Sequence, residues 1–157
     1  MLTSDLNVIY WGYISRRYYN TATRIKIFLA IMASVTVASW GFWEEIDLVW
    51  KTLSGIAAVL AIIFPILKTE EKIDKTSFLK GKWIEVKNEY EFLWATIKNK
   101  NLNELTQEYK RIKDKETDVS KEEKYLPINK KLINKSYQEV LKSRGLKSKG
   151  RVLNDEQ

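Results

Sequence analysis

From Ile27 to Leu67 the chain reads IFLAIMASVTVASWGFWEEIDLVWKTLSGIAAVLAIIFPIL. Two uncharged apolar runs, Ile27 to Trp43 and Thr52 to Leu67, flank a short acidic link that holds Glu44, Glu45 and Asp47. At the α-helical rise each run covers about 25 Å of a roughly 30 Å hydrocarbon core. The edges make up the difference. Lys26 and Lys51 have stems long enough to snorkel toward headgroups, so Ile25 joins the first span and Leu48, Val49 and Trp50 join the second. The pattern predicts a two-span transmembrane helical hairpin, with spans at about residues 25–43 and 48–67. Trp40, Trp43 and Trp50 cluster at its acidic end, where an interfacial aromatic belt is expected. The competing reading is a buried helical pair in a water-soluble fold. The rest of the chain is too charged to cover both apolar segments on all sides.

Flanking charge orients the hairpin. Arg16, Arg17, Arg24 and Lys26 precede the first span and Lys68, Lys72 and Lys75 follow the second, against three carboxylates and one lysine in the connection. Both termini are therefore expected in the cytoplasm, with Arg16, Arg17, Arg24, Lys26 and Lys51 as interfacial anchors. Arg16 and Arg17 also resemble a twin-arginine export signal, but a second span follows and no convincing cleavage site lies near Ala38 and Ser39.

The whole-chain average hides this organisation. A net charge of +7 and 30% charged residues describe an ordinary soluble protein, because a polar C-terminal half dilutes the apolar one. The cationic excess beside a bilayer points to anionic lipid. Direct nucleic-acid binding is not expected, since no stretch combines dense lysine and arginine with exposed aromatics.

Chemistry is sparse. The chain has no cysteine and no histidine, which excludes disulfides, thiol catalysis and histidine-based general bases. No glycine-rich phosphate loop is present. Glu85, Glu89 and Glu91 are the densest carboxylates on a predicted helix, and Lys82 and Lys87 beside them make a solvated charged face. No catalytic residue, cofactor site or metal site is predicted, and the chain is not expected to be an enzyme.

Helical periodicity fills the remainder. Leu2 to Thr23 reads as a helix capped at Thr3 or Ser4, with Val8, Trp11, Ile14 and Tyr18 on one face that lies on the membrane or packs on the cytoplasmic helices. From Thr69 to Asn99 a long helix carries Leu79, Trp83, Val86, Tyr90, Leu93 and Ile97 at steps of four and three, the rhythm of a coiled-coil seam or of one face of a small bundle. A break follows at Asn99 to Asn103. Leu102, Leu105, Tyr109 and Ile112 restart a stripe, Asp114 to Glu123 reads as a mobile polar loop, and Pro127 opens a last helix that ends at Arg144 and Gly145. The expected organisation is an N-terminal interfacial helix at 1–24, the transmembrane hairpin at 25–67, a cytoplasmic helical bundle or coiled coil at 68–145 and a disordered tail at 146–157, an all-α membrane protein.

The spans carry a packing pattern of their own. Ala30, Ser34, Ala38 and Gly41 form one stripe of small residues and Ser54, Ala58, Ala61 and Pro65 another. Lipid gives helices no hydrophobic reason to pair, so close approach through small residues must supply it. The hairpin is expected to close on one of these faces. The remaining small and hydroxyl positions, among them Ala33, Thr36, Ser39 and Gly55, either serve the same hairpin or allow several copies to assemble as a homo-oligomer. Pro65 is a candidate hinge.

The basic, aromatic pre-helix with Tyr18, Tyr19 and Arg24, the tight two-span hairpin, and the helical region that opens Glu70, Glu71, Lys72 and carries Glu89 to Trp94 together resemble the SLATT proteins of bacterial conflict systems. The resemblance covers roughly residues 8 to 145 and rests on architecture. It implies a multi-pass protein of the bacterial inner membrane, an effector of abortive antiviral defence that oligomerises to form a pore or otherwise disrupts the membrane. It further implies a partner that senses infection, such as a nucleotide-signalling module. Two alternatives share the hairpin: a holin-like lysis protein of phages and a non-conducting membrane-anchored scaffold or regulatory subunit.

Overall fold

The computed structural model describes residues 1–38, 47–124, 126 and 128–146, with the side chains of 35–38, 47, 48 and 50 outside that description. Trp40, Gly41, Trp43, the link residues Glu44 and Glu45, Pro127 and the tail from Lys147 lie outside the described residues, as do the side chains of Thr36, Ala38 and Trp50. Five α-helices carry the described chain: α1 (Leu2–Ala38), α2 (Asp47–Ile66), α3 (Thr69–Thr96), α4 (Leu102–Glu123) and α5 (Lys130–Ser143). A 3₁₀ turn at Ile97–Asn99 follows α3, and no strand occurs among the described residues. The fold is all-α.

Two compact units divide it. One joins Met1–Ile14 to Thr76–Gln157, and the other is Ser15–Lys75. Both α1 and α3 run across the boundary between these units. Nothing in the sequence breaks α1 between the pre-helix and the first apolar run, since no proline interrupts it and its one glycine, Gly12, is accommodated. Thr3 and Ser4 are likewise inside the helix rather than capping it, and the Ser4 hydroxyl donates to the Met1 carbonyl at 2.7 Å.

In the first unit the core is built from Tyr10, Trp11 and Ile14 of α1, Leu79, Trp83, Val86 and Tyr90 of α3, Ile112 and Val119 of α4, and Val140 and Leu141 of α5. The α3 seam is therefore buried within its own chain from Leu79 to Tyr90. It fades beyond that, with Leu93 half-buried and Ile97 exposed. The helix ends follow local chemistry. Asn101 caps α4 by accepting from the Glu104 N–H at 2.9 Å, while the Glu104 carboxylate accepts from the Asn101 N–H at 3.3 Å. Asn129 caps α5, and Gly145 at φ +64° lets Leu146 N–H reach back to the Leu141 carbonyl at 2.8 Å.

The mobile loop expected at Asp114 to Glu123 is instead the second half of α4. Ile112, Glu116, Val119 and Glu123 step by four, three and four, so this stretch has an inward face whose glutamates satisfy the polar ends of core aromatics. At the other end of α4 the expected stripe is largely outside the core, since Leu102 and Tyr109 are exposed and Leu105 is half-buried.

The second unit is apolar and thinly covered. Ala22 and Met32 are its buried residues on α1, and Tyr18, Ile25, Phe28 and Leu29 are half-buried beside them. On α2 the half-buried line is Leu53, Ser54, Ala57, Leu60 and Phe64. Pro65 lies in the last turn of α2. The connection to α3 is only Leu67 and Lys68, and Lys68 takes φ 46°, a left-handed conformation that a lysine adopts at a cost.

Candidate functional site

Outward from the line just described, the Ser15–Lys75 unit shows an unusual surface. Ile27, Ile31, Val49, Ile56, Val59, Ile62, Ile63, Ile66 and Leu67 are all exposed, Ile62 at 69% and Ile66 at 72%. Contiguous apolar exposure on this scale marks an interaction surface, because water penalises it. Charged residues take over abruptly at one end. On α1 the last cations before the exposed isoleucines are Arg24 and Lys26, and after α2 the first is Lys68. The Lys26 ammonium donates to the Glu70 carboxylate at 2.6 Å, which ties these two changeovers together. Lys26, an expected interfacial anchor, thus has a carboxylate partner. That pairing holds the Glu70 carboxyl below its usual range.

The small-residue stripes are not where the unit closes. Ala30, Ala33, Ser34, Ala58, Ala61 and Pro65 are exposed, and only Ser54 of these positions is half-buried. A side chain added at Gly55 would meet nothing within 4 Å. The inward line is made of Ala22, Ile25, Leu29 and Met32 on α1 and Leu53, Ala57, Leu60 and Phe64 on α2, one position removed from the stripes. The inward line mixes large side chains with Ala22 and Ala57, so residue size alone does not set which face turns in. Arg16, Arg17, Arg24 and Lys51 are exposed. Among the described residues no single helix is long and apolar enough to cross a membrane, although a bent pair, Lys51–Ile66 with Thr69–Asn99, passes by length and composition.

The helical bundle holds a different set of polar residues. Glu123 Oε1 accepts from the Trp11 indole N–H at 2.6 Å and from the Trp83 indole as well, which joins α1, α3 and α4 at one oxygen. Burial pushes the Glu123 carboxyl up, and the two indole hydrogen bonds only partly offset it. Glu116 Oε2 accepts from the Tyr90 hydroxyl at 2.7 Å and from Lys113 at 3.0 Å. Burial works against this charge too, but here the hydrogen bonds from Tyr90 and Lys113 win and hold the carboxyl below its usual value. The Tyr90 hydroxyl is pushed up by burial and by that same carboxylate. The Tyr13 hydroxyl donates to Glu139.

At the start of α1, Asp5 is buried and accepts from Arg144 Nε at 2.9 Å and Nη2 at 2.6 Å, with Lys87 at 3.3 Å. Arg144 also reaches Glu91 at 3.3 Å. The four residues fasten α1, α3 and the end of α5 to one another. Sequence reading missed Asp5, Glu116, Glu123 and Arg144 because it scored charge as solvent-exposed. The available signal was the spacing from Ile112 to Glu123, which repeats the four-three-four rhythm of the α3 seam. Glu85, Glu89 and Glu91 divide: Glu89 pairs with Lys115 and Arg111, Glu91 joins the Asp5 network, and Glu85 pairs with Lys82 on the surface. Among the described residues no group of three or more acidic side chains is arranged to hold a metal ion.

No protein-family model, no curated protein and no solved structure matches this chain.

Proposed function

We propose that this chain is a two-span protein of the bacterial inner membrane, with the spans at about 25–43 and 48–67 in lipid and the helical bundle in the cytoplasm. The observation that carries the reading is the shared changeover: exposed isoleucines give way to charge on α1 and after α2, and the Lys26–Glu70 pair ties the two points together. An apolar surface that ends in a charged rim is what a bilayer edge selects. We further propose that the protein is a membrane effector of the kind its architecture resembles, in which several copies assemble and permeabilise the membrane when a partner acts on the bundle. The outward-facing Ala30, Ser34, Ala58 and Ala61 support this part, since they are available for close approach between copies. No catalysis, cofactor or nucleic acid enters this reading. Its resting state is closed, because neither apolar run carries an ionisable residue at mid-depth and a narrow apolar path resists wetting.

The test uses the absence of cysteine. Glu45→Cys and Ser120→Cys are introduced singly and probed in intact cells with a membrane-impermeant thiol reagent. Labelling at Glu45→Cys alone is expected, and labelling at Ser120→Cys in intact cells overturns the topology. In the same cells a potential-sensitive dye reports the effector role. Depolarisation on overexpression that Ser34→Leu with Ala58→Leu abolishes, while insertion persists, supports it. An unchanged potential at high expression favours the scaffold alternative.

A further inference from the structure

The cations at the edge of the apolar unit are not equivalent. Lys26 is neutralised by Glu70, and Lys68 lies 3.4 Å from Glu71. Arg16, Arg17 and Arg24 are exposed and, among the described residues, none has a hydrogen bond or an ion pair. At 3.6 residues per turn these three guanidinium groups fall within an arc of about 100° on α1. The half-buried and buried residues Tyr18, Ala22, Ile25, Leu29 and Met32 occupy the other side. The arginine arc continues directly into exposed Ile27 and Ile31, so one helix face changes from cationic to apolar within three residues.

We infer that Arg16, Arg17 and Arg24 form a binding surface for the phosphate of anionic phospholipid headgroups, an inference that rests on the membrane reading above. The partner chemistry follows from three features. Guanidinium groups offer planar, paired donors that match phosphate oxygens and remain charged at any cellular pH. The local carboxylates Glu70 and Glu71 are engaged by lysines, so they do not compete for the arginines. The adjoining isoleucines give the acyl chains of the same molecule an apolar wall, which free phosphate could not use. The lysines next to this surface are expected to contribute little, because their charge is already answered.

The experiment uses the full chain purified in a neutral detergent, with lipid adducts counted by native mass spectrometry. Phosphatidylglycerol, phosphatidylcholine and inorganic phosphate serve as the three probes. Phosphatidylglycerol is expected to bind at least about fivefold more tightly than phosphatidylcholine, with inorganic phosphate not retained. Arg16→Gln, Arg17→Gln and Arg24→Gln together should bring the two lipids to parity, whereas Lys26→Gln with Lys68→Gln should keep the preference. Equal affinity for both lipids in the parent chain overturns the inference. So does a preference that the arginine triple variant retains, or retention of inorganic phosphate as tightly as of the lipid. Carbonate-resistant membrane association of parent and variants, measured in parallel, separates this result from the underlying reading. If the parent is extracted by carbonate, the membrane reading itself fails. If it resists extraction yet shows no headgroup preference, only the arginine assignment fails.

Discussion

Ile112 of α4 is 1% exposed and Ile62 of α2 is 69% exposed, although both lie inside helices of similar length. The core of the helical bundle and the surface of the apolar unit thus place the same side chain in opposite surroundings. In the bundle a core of aromatic and aliphatic residues lies beneath a mostly charged surface that also shows Phe92, Trp94, Leu102 and Ile128. The few charges drawn inward, Asp5, Glu116 and Glu123, each gain specific donors. In the apolar unit Ala22, Leu29, Met32, Leu60 and Phe64 line the inside, isoleucines and most of the small side chains face out, and Arg24, Lys26 and Lys68 bound the exposed apolar surface at one end. A surface of that kind needs a second solvent, which is why lipid is the proposed surrounding.

The comparison is broken most directly by making the same change in both regions. Ile112→Ala is expected to destabilise the bundle by about 2–5 kcal/mol through lost burial and a residual cavity, while Ile62→Ala changes it by less than about 0.5 kcal/mol. Hydrogen exchange at α3 and α4 amides in detergent reads both values on one scale. An equal cost for Ile62→Ala would break the comparison.

A smaller effect separates the inward carboxylates. Glu116→Gln should cost about 1–2 kcal/mol near neutral pH, since a charge-assisted acceptor for Tyr90 becomes a neutral one. The sign with pH follows from the lowered carboxyl. Glu116 contributes stability above its ordinary value of 4.5, and that contribution is lost as pH falls through its depressed value. Glu123 runs the other way: its raised carboxyl contributes most below 4.5 and loses that contribution as pH rises through its folded value. Urea titrations from pH 3 to 8 should therefore show a flatter acid limb for Glu116→Gln. For Glu123→Gln they should show that the decline just above 4.5 has gone.

The smallest expected effect lies at the junction. Lys68→Gly should raise the local stability of the first turn of α3 by about 0.5–1 kcal/mol, because glycine takes a positive φ without the steric cost a lysine bears. Amide exchange at Lys72, whose N–H bonds to the Lys68 carbonyl at 3.2 Å, measures it. Faster exchange in the variant would show that the lysine conformation is not strained.

Much of the architecture was legible in the residues. The steps of four and three from Leu79 to Tyr90 are the core face of α3, and the Asn101 and Gly145 positions mark real helix ends. The acidic second half of α4 was not legible. Local composition there favours solvent at nearly every position, and only an indole or hydroxyl brought from elsewhere in the chain gives a buried carboxylate its reason. The small-residue stripes failed as a guide to closure for a related reason, since composition names residues that permit close approach without saying which neighbour approaches.

By itself the sequence determined the helical class, the two apolar runs, the charge at their edges and the absence of cysteine and histidine chemistry, because periodicity, length and composition are local properties. The tertiary structure decided which lines turn inward, that Lys26 is answered by Glu70 while three arginines are not, and that Glu116 is buried and Glu123 half-buried against core aromatics. Those are properties of pairs far apart in the chain, and no local pattern contains the distance between them.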